Sequence, residues 1–294
     1  MPFNYAHAML ALLAAEASPA AAGFIAACPA AYRAGAMGPD PYFADSMPRP
    51  LFFRSRAALA GQMHQSDARL LLCAFLRHAD SPIKRAYALG FLCHFALDAN
   101  AHPYIFSRFP GAAHTPGEMH MDLPLAVLLD KTARIEPPQR FFRLTKDELH
   151  EIDALHAAVV QALFGEESRG VFTRSYRKWI YLVNRLAFDP RGGKRRFFGR
   201  VERWFHKPGL ITGWLVTNDP KDALSDPMNL HHSPWAATWA PDETRSESFI
   251  DLFDAALAEA PALLGAAAAG LMTGDFADAL AGLSGRCMYG SPLF

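Results

Sequence analysis

The chain of 294 residues lacks an excess of charge of either sign, because 29 lysines and arginines balance 29 aspartates and glutamates. A dedicated nucleic-acid-binding domain is typically basic, so nucleic acid is a partner that this composition does not favour. The chain also lacks an uninterrupted apolar run of about 18 residues, and we expect no membrane-spanning helix and no stable membrane insertion. Nothing in the sequence indicates the oligomeric state.

Cysteine is scarce, and the start of the chain lacks a basic segment. The four cysteines have no spacing typical of metal sites and lie in apolar sequence, so we expect reduced core residues. Residues 1–17 contain no lysine or arginine and carry Glu16, which makes them a poor signal peptide. We therefore predict a cytoplasmic protein whose chain begins with an amphipathic helix.

Strand-like alternation of apolar and polar residues is absent, whereas helix-start and helix-stop signals recur. We predict an all-α fold, with residues 1–294 forming a single domain. Residues 30–50, rich in glycine and proline, are predicted as a long loop, and such loops are often functional. The predicted helices cover residues 4–16, 18–28, 55–79, 81–102, 115–129, 145–164, 169–187, 192–205, 247–269 and 273–283.

The most informative residues are three ionisable side chains on the helix predicted to begin at Ser81-Pro82 and to stop at Pro103. His94, Asp98 and His102 are spaced by four residues, so they share one helix face. The neighbouring residues are apolar, and a buried aspartate is costly unless it is paired or binds a metal. Imidazole and carboxylate are zinc ligand types. A structural His-Asp pair with a spare core histidine is an equally good interpretation of these three residues alone.

Further ligand types occur in order before residue 130. They are His7 in AHAML, Asp40 in GPDP, His64 in QMHQSD, and His114 with Glu118 in HTPGE. Together with HFALD and AHP of the central helix, these motifs resemble the zinc-dependent phospholipase C family, which shares its fold with the fungal single-strand nucleases. The resemblance covers residues 1–130, with a weaker echo at 229–253. It implies a single multi-helix domain of the phospholipase C and nuclease type, with the ligands in residues 1–130 and a cleft rim in 131–294.

The resemblance also implies a buried cluster of two or three zinc ions and a role for each residue. One ion would be held by His64, His94 and Asp98. A second would be held by His102, His114 and Glu118. A third would be held by His7, a shared Asp98 and the amino terminus. Asp40 would be the catalytic general base or would position water.

Two features of the sequence depart from the family. The spacing from Asp98 to His102 is two residues shorter than in the secreted members, so the second ion would sit differently. The secreted members gain a free terminal amine by signal cleavage, and this chain shows no such signal. A site with two zinc ions and no terminal ligand is equally consistent with the sequence.

Structural interpretations of the same residues stay open. His7 and His64 lie on apolar helix faces and could be core histidines, and Asp40 could shape its proline-flanked turn. Glu118 could complete a capping box, and the proline and glycine of HTPGE weaken the helical geometry that it would share with His114. His120 and Asp122 are close enough in sequence to replace them. Three further histidines have charged or polar sequence neighbours and are predicted at the surface: His78, His150 and His156.

The C-terminal half contains two segments of interest. Residues 191–207, RGGKRRFFGRVERWFHK, mix seven basic residues with Phe and Trp, which could attract phosphates or an anionic membrane. We interpret them as a solvated helix face with buried aromatic side chains. Residues 229–249 could form a rim over the cleft that brings four side chains near substrate, although adjacent loop histidines are more often structural or exposed. These four are His231, His232, Trp235 and Trp239.

We predict a zinc-dependent hydrolase of phosphate esters that cleaves phosphodiesters like a phospholipase C, with a phospholipid as a candidate substrate. A phosphodiester is anionic and a poor electrophile. Zinc ions about 3.5–4 Å apart can bind its oxygens while a bridging water becomes hydroxide near neutral pH. The alternatives are a single-strand nuclease of the same fold, which would need aromatic platforms for bases beside the metals, and a zinc-binding protein without turnover.

Overall fold

The computed structural model describes residues 4–46, 55–130, 138–216 and 226–293. These residues form α-helices joined by short 3-10 segments, and they contain two isolated β-bridges but no strand. The predicted all-α fold is confirmed. The α-helices are α1 (Asn4–Glu16), α2 (Ala22–Ala27), α3 (Pro29–Gly35), α4 (Ala58–Gln65), α5 (Ala68–Arg77), α6 (Pro82–Arg108), α7 (His114–Asp130), α8 (Pro138–Phe141), α9 (Lys146–Phe164), α10 (Val171–Tyr181), α11 (Gly193–Trp204) and α12 (Phe249–Thr273).

Helix α9 shows how local signals fix helix ends. The Thr145 hydroxyl accepts a hydrogen bond from the Glu148 backbone N–H, and the Glu148 carboxylate accepts one from the Thr145 N–H at 2.7 Å. This capping box satisfies donors that the first turn leaves unpaired. Gly165 ends the helix in the left-handed conformation, with φ of 68°. The prediction of a helix over 145–164 is therefore confirmed.

Four local predictions were wrong. Helix α6 continues through Pro103 to Arg108, because the buried side chains that follow, Tyr104 and Ile105, favour one continuous helix. The helix predicted over 55–79 is two helices, since Asp67 caps the start of α5. Part of the predicted loop 30–50 is helical, in α3 and in a 3-10 helix at Asp40–Ser46. The α-helix predicted over 273–283 is absent there, where turns and the 3-10 helix Ala281–Leu283 follow α12.

The chain divides into two compact units, each described by itself. The first unit comprises His7–His102, Phe141–Trp179 and Leu252–Phe294. The second unit comprises Met1–Ala6, Pro103–Arg140 and Ile180–Asp251. The single domain predicted for residues 1–294 stays a prediction.

In the first unit, α3 and α6 meet backbone to backbone. A Cβ atom on Gly90 would lie 1.9 Å from the Tyr32 carbonyl oxygen, and one on Gly35 would lie 2.1 Å from the Tyr87 carbonyl oxygen. Only glycine permits this approach, because real Cβ atoms do not come so close to another heavy atom. The contact brings the residues that follow α3 against the middle of α6, where His94 lies.

In the second unit, a buried carboxylate holds the start of α1. Asp122 of α7 accepts hydrogen bonds from the backbone N–H groups of Tyr5 and Ala6, at 3.2 and 3.3 Å. The first N–H groups of a helix have no partner within the helix, so a side-chain acceptor stabilises them. Elsewhere in this unit the Tyr104 hydroxyl donates to the Pro227 carbonyl at 2.7 Å.

Helix α12 has the length and composition of a membrane span. Its most apolar 18-residue window has a mean hydropathy of 1.5, and 39% of that window is buried. Helix α1 together with Pro19–Ala27 passes the same test only as one span bent by 94°. The expectation that the chain has no membrane-spanning helix stays a prediction. Core helices of soluble proteins pass the same test, so this finding alone is weak evidence for a membrane.

Candidate metal centre

The first unit brings six of the predicted site residues onto its helices, and all six are buried. One lies on α1, one begins the 3-10 helix Asp40–Ser46, one lies on α4 and three lie on α6. We call them the histidine–aspartate cluster: His7, Asp40, His64, His94, Asp98 and His102.

Asp98 lies at the centre of this cluster. Its Oδ1 atom is 3.3 Å from His7 Nε2, and its Oδ2 atom is 3.2 Å from His64 Nε2 and 3.0 Å from His94 Nε2. The His7 and His94 rings are stacked, with centroids 4.5 Å apart. Each carboxylate oxygen therefore faces imidazole nitrogens, which is the arrangement expected of a carboxylate that bridges two cations.

Asp40 extends the cluster on the side of α4. Its Oδ1 atom lies 3.4 Å from His64 Nε2. Within the first unit, two groups of three described residues have candidate ligand atoms within 4.8 Å of one another, and His94 belongs to both. One group is His7, His94 and Asp98, and the other is Asp40, His64 and His94.

The interatomic distances fit zinc better than they fit simple ion pairs. Two ligands of a tetrahedral zinc, each about 2.0–2.1 Å from the metal, lie about 3.3 Å apart. A charge-assisted hydrogen bond between imidazolium and carboxylate is about 2.7–2.9 Å long. The distances here are 3.0–3.4 Å. Moreover, among the described residues neither His7 Nε2 nor His94 Nε2 makes a hydrogen bond, although each faces Asp98.

Backbone carbonyl groups select the tautomer of three histidines. The Nδ1 atoms of His64, His94 and His102 lie 2.7, 3.2 and 2.7 Å from the carbonyl oxygens of Ala60, Ala36 and Met288, respectively. A carbonyl oxygen can only accept, so Nδ1 carries a proton in each of these rings and Nε2 is the nitrogen that can bind a cation. Outer hydrogen bonds of this kind orient histidine ligands in metal sites.

Burial and charge shift the pKa values of the cluster in opposite directions. Burial raises the pKa of Asp98, but the surrounding histidines, His102 first and then His94, lower it well below its usual range. Burial lowers the pKa of His64, but Asp40 and Asp98 raise it to about 10. Without a metal the buried carboxylates therefore hold a proton on His64, and a bound cation would displace it.

Gly38 shapes the loop that carries Asp40. Its φ is 48°, and a Cβ atom at this position would lie 2.1 Å from Cδ2 of His94. Glycine is needed both for the positive φ and for the space occupied by the imidazole. The Tyr87 hydroxyl donates to the Gly38 carbonyl at 3.3 Å and fixes the loop from the other side.

The comparison with known families agrees with this geometry. The model of the family described as zinc dependent phospholipase C matches residues 1–168. The chain belongs to this family. The match confirms the resemblance seen in the motifs, and it includes all eight predicted ligand and catalytic residues. No curated protein and no solved structure matches the chain.

Membership of the zinc-dependent phospholipase C family and the buried histidine, aspartate and glutamate groups together fit zinc binding. The family match ends at residue 168, whereas residues much further along the chain contact the cluster. Tyr289 stacks on His64 with ring centroids 5.2 Å apart, and the Met288 backbone N–H donates to the His64 carbonyl. The sequence analysis missed both residues, because no motif or spacing links them to the ligands.

The predicted surface position of His156 was wrong. Its side chain is buried, its Nε2 lies 2.7 Å from the Tyr87 hydroxyl, and its ring stacks on Phe172 at 3.9 Å. Burial lowers its pKa well below the usual value, so the imidazole is neutral. The misleading signal came from its polar sequence neighbours, because the residues that share its helix face, Ile152 and Val160, are apolar and buried.

In the second unit, His114 and Glu118 form a pair on the first turn of α7. His114 Nε2 lies 3.1 Å from Glu118 Oε1, and Glu118 is fully buried. The proline and glycine between them do not disrupt the helix, since proline is tolerated in a first turn. Gly117 is required by packing, because a Cβ atom there would lie 2.3 Å from Phe109 Cγ.

The alternative ligand Asp122 serves instead as the cap of α1. Burial raises its pKa to about 7, although the N–H groups of Tyr5 and Ala6 act in the opposite direction. The predicted rim residues have structural contacts within the second unit. His232 Nδ1 lies 3.0 Å from the Ser246 carbonyl, and Trp235 Nε1 donates to the Glu247 carbonyl. Their predicted proximity to substrate, and that of His231 and Trp239, stays a prediction.

Proposed function

We propose that this chain is a zinc-dependent hydrolase of phosphate esters, and that its natural reaction is phospholipase C-like cleavage of a phospholipid. The observation that carries the proposal is the arrangement around Asp98. Three histidine Nε2 atoms lie 3.0–3.3 Å from its oxygens, and carbonyl groups fix the tautomer of two of these histidines. Family membership supports the choice of metal and reaction class.

The proposed site would hold two or three zinc ions, and Asp98 could contribute to two of them. His64 and His94 would hold one ion together with Asp98, and His7 would hold another. The amino terminus, a predicted ligand, lies outside the described residues. The assignment of His102, His114 and Glu118 to a further ion comes from the resemblance and stays a prediction. When bound, zinc supplies positive charge that binds phosphate oxygens and lowers the pKa of water.

The side chains of this site have separable tasks in the proposed reaction. Asp40 orients the attacking water and accepts its proton, because its carboxylate lies beside His64 at the edge of the cluster. Burial raises the pKa of Asp40, but His64 and His94 lower it, so the carboxylate is charged and able to accept a proton. Phe43 and Tyr289 pack near His64, with ring centroids 5.7 and 5.2 Å away, and limit the access of water.

Hydrolysis of p-nitrophenyl phosphodiesters tests the proposal directly, since such substrates need little recognition beyond the phosphate. We expect turnover that chelation abolishes and zinc restores. Phosphatidylcholine and a single-stranded oligonucleotide are then compared under the same conditions, and we expect faster cleavage of the lipid.

Two outcomes would contradict this proposal. Faster cleavage of the oligonucleotide would identify a nuclease of the same fold. A fully metallated protein that is inert toward all three substrates would identify a zinc-binding protein without turnover. The predicted cytoplasmic location is a separate proposal, which cell fractionation tests.

A further inference from the structure

A basic and aromatic segment of the second unit lies outside the residues that match the family. Residues 191–214 contain seven basic residues and one acidic residue. The interpretation that their aromatic side chains are buried was wrong. Phe197 is 60% exposed, Trp204 is 79% exposed and Phe205 is 63% exposed. Large aromatic side chains with this exposure mark an interaction surface when they are contiguous.

Helix α11 presents these residues on one face. Its exposed side chains follow the helical spacing i, i+1, i+4, i+7 and i+8, so they share one side, which carries both arginines and aromatic rings. No acidic side chain of α11 is exposed on this face. The exposed residues are Arg196, Phe197, Arg200, Arg203 and Trp204.

The loop after α11 adds exposed apolar side chains, and its backbone is anchored. The buried Glu202 carboxylate accepts hydrogen bonds from the N–H groups of Gly209, Ile211 and Thr212 and from the Thr212 hydroxyl. Burial raises the pKa of Glu202, but these bonds lower it to about 2, so the acceptor stays charged. The loop therefore holds Leu210, Ile211 and Trp214 in exposed positions through specific contacts.

Both ends of the segment are also fixed. The Val216 N–H donates to the Ala187 carbonyl at 2.9 Å, and the Asp189 N–H donates to the Val216 carbonyl at 2.8 Å. The Asp189 carboxylate accepts from the Arg195 N–H at the start of α11. The exposed surface is thus preorganised, which lowers the entropy lost when it binds a partner.

We propose that the exposed side chains of residues 196–214, here called the basic–aromatic surface, dock on a bilayer that contains anionic phospholipid. Tryptophan favours the interfacial region of a bilayer. Arginine can contact lipid phosphates with its guanidinium group while its apolar stem packs against the acyl chains. Charge complementarity selects anionic lipid. The exposed aliphatic residues Leu210 and Ile211 favour lipid over nucleic acid, whose bases stack on aromatic rings. The arginines disfavour a second copy of the same face.

Vesicle flotation tests this docking without measuring turnover, so its failure is distinguishable from failure of the proposed function. Zinc-loaded full-length protein is mixed with vesicles of phosphatidylcholine alone, or of phosphatidylcholine and phosphatidylserine in a ratio of about three to one. We expect binding to the anionic vesicles only, decreasing as salt increases. Each basic residue near an anionic surface contributes about fivefold to binding. The variant Arg200→Glu/Arg203→Glu should therefore lose at least about 25-fold in vesicle affinity.

A second double variant tests whether the apolar side chains contribute to vesicle binding in addition to the charged ones. Trp204→Ser/Leu210→Ser should also lose binding, whereas Leu70→Ser should not, although Leu70 and Leu210 are each 61% exposed. The matched charge control is Arg77→Glu/Arg169→Glu, which reverses two exposed arginines of the first unit. All four positions of the test variants are exposed, so each variant should keep the wild-type unfolding temperature.

Three results would overturn the docking proposal. The first is equal vesicle binding by the wild type and the test variants. The second is that the wild type does not bind vesicles but binds an oligonucleotide, and that Arg200→Glu/Arg203→Glu abolishes this binding. That result would assign the surface to nucleic acid. The third is a wild-type dimer that Trp204→Ser/Leu210→Ser converts to monomer, which would assign it to self-association.

Discussion

The buried histidines of the first unit lie in two environments with opposite chemical character. In the histidine–aspartate cluster, Nε2 atoms face the oxygens of Asp98 and Asp40. The second environment is the pocket around His156, here called the His156 pocket. Its imidazole forms a hydrogen bond with the Tyr87 hydroxyl and stacks on Phe172. The cluster concentrates titratable groups, whereas the pocket contains a single neutral ring among aromatic side chains.

The difference shows what separates a ligand from a core histidine. A neutral imidazole has no net charge to compensate, so a ring such as His156, whose faces pack against aromatic side chains, is buried at less cost than a charged group. Two buried carboxylates among four buried histidines are costly unless positive charge compensates them. Carbonyl groups at Nδ1 and carboxylates at Nε2 therefore make the cluster a candidate site for cations, whereas burial alone does not.

The largest expected effect is that of Asp98→Asn. The substitution keeps the volume but removes the charge that would compensate two bound cations, so we expect loss of bound metal and of activity. Because bound metal stabilises only the folded state, the free energy of unfolding in zinc should fall by about 3–5 kcal/mol. Elemental analysis and thermal unfolding measure both effects. Full metal content and full activity would place the site elsewhere.

Asp40→Asn should separate chemistry from metal binding. If Asp40 accepts the proton of water, the variant keeps its zinc and its unfolding temperature, while kcat falls by about 10²–10⁴-fold. Kinetics on a p-nitrophenyl phosphodiester, with zinc content measured on the same sample, checks this. Loss of zinc in parallel with activity would instead make Asp40 a ligand.

Gly38→Ala should weaken the metal centre through His94. The added methyl group would meet the imidazole at 2.1 Å, so the ring must move away from Asp98. We expect zinc affinity to fall by about 10–100-fold, as for other disturbances of ligand orientation. Competition with a chromogenic chelator measures the change.

Gly61→Ala is the matched control for this variant. Gly61 lies on α4, the helix that carries His64, and a Cβ atom there would have no neighbour within 4 Å among the described residues. Zinc affinity should be unchanged, and the free energy of unfolding should rise by up to about 1 kcal/mol. Equal loss of zinc in both variants would refute the steric argument.

The smallest effect is expected in the His156 pocket. His156→Phe keeps the stacked ring but leaves the Tyr87 hydroxyl without its nitrogen partner, so stability should fall by about 1–2 kcal/mol. Zinc content and kcat should stay at wild-type values. A drop in zinc content would mean that the pocket and the cluster are not distinct in function.

The sequence predicted those parts of the site that depend on local spacing. Residues four apart on one helix share a face, which predicted that His94 and Asp98 lie together. The capping box at Thr145 fixed a helix start for the same reason. The pairing of His114 with Glu118 was implied by the resemblance, and the two side chains are 3.1 Å apart on α7. In contrast, the carbonyl of Met288 that orients His102 is supplied by a distant part of the chain, and no local pattern specifies it.

Errors in the sequence analysis have a common physical origin in tertiary packing. Pro103 is compatible with a continuing helix because the next turn is buried. His156 has polar neighbours in sequence but apolar neighbours on its helix face. Trp204 lies in an amphipathic helix whose aromatic side chains were predicted to be buried, yet its side chain is exposed.

Zinc content is the most direct test of the central claim, that the histidine–aspartate cluster is a metal centre. The purified full-length protein, expressed with ample zinc, is analysed for metal and protein in the same sample. The account predicts at least two zinc ions per chain, as in sites where metal ions bind both the nucleophile and the phosphate. A value substantially below one zinc ion per chain would contradict it.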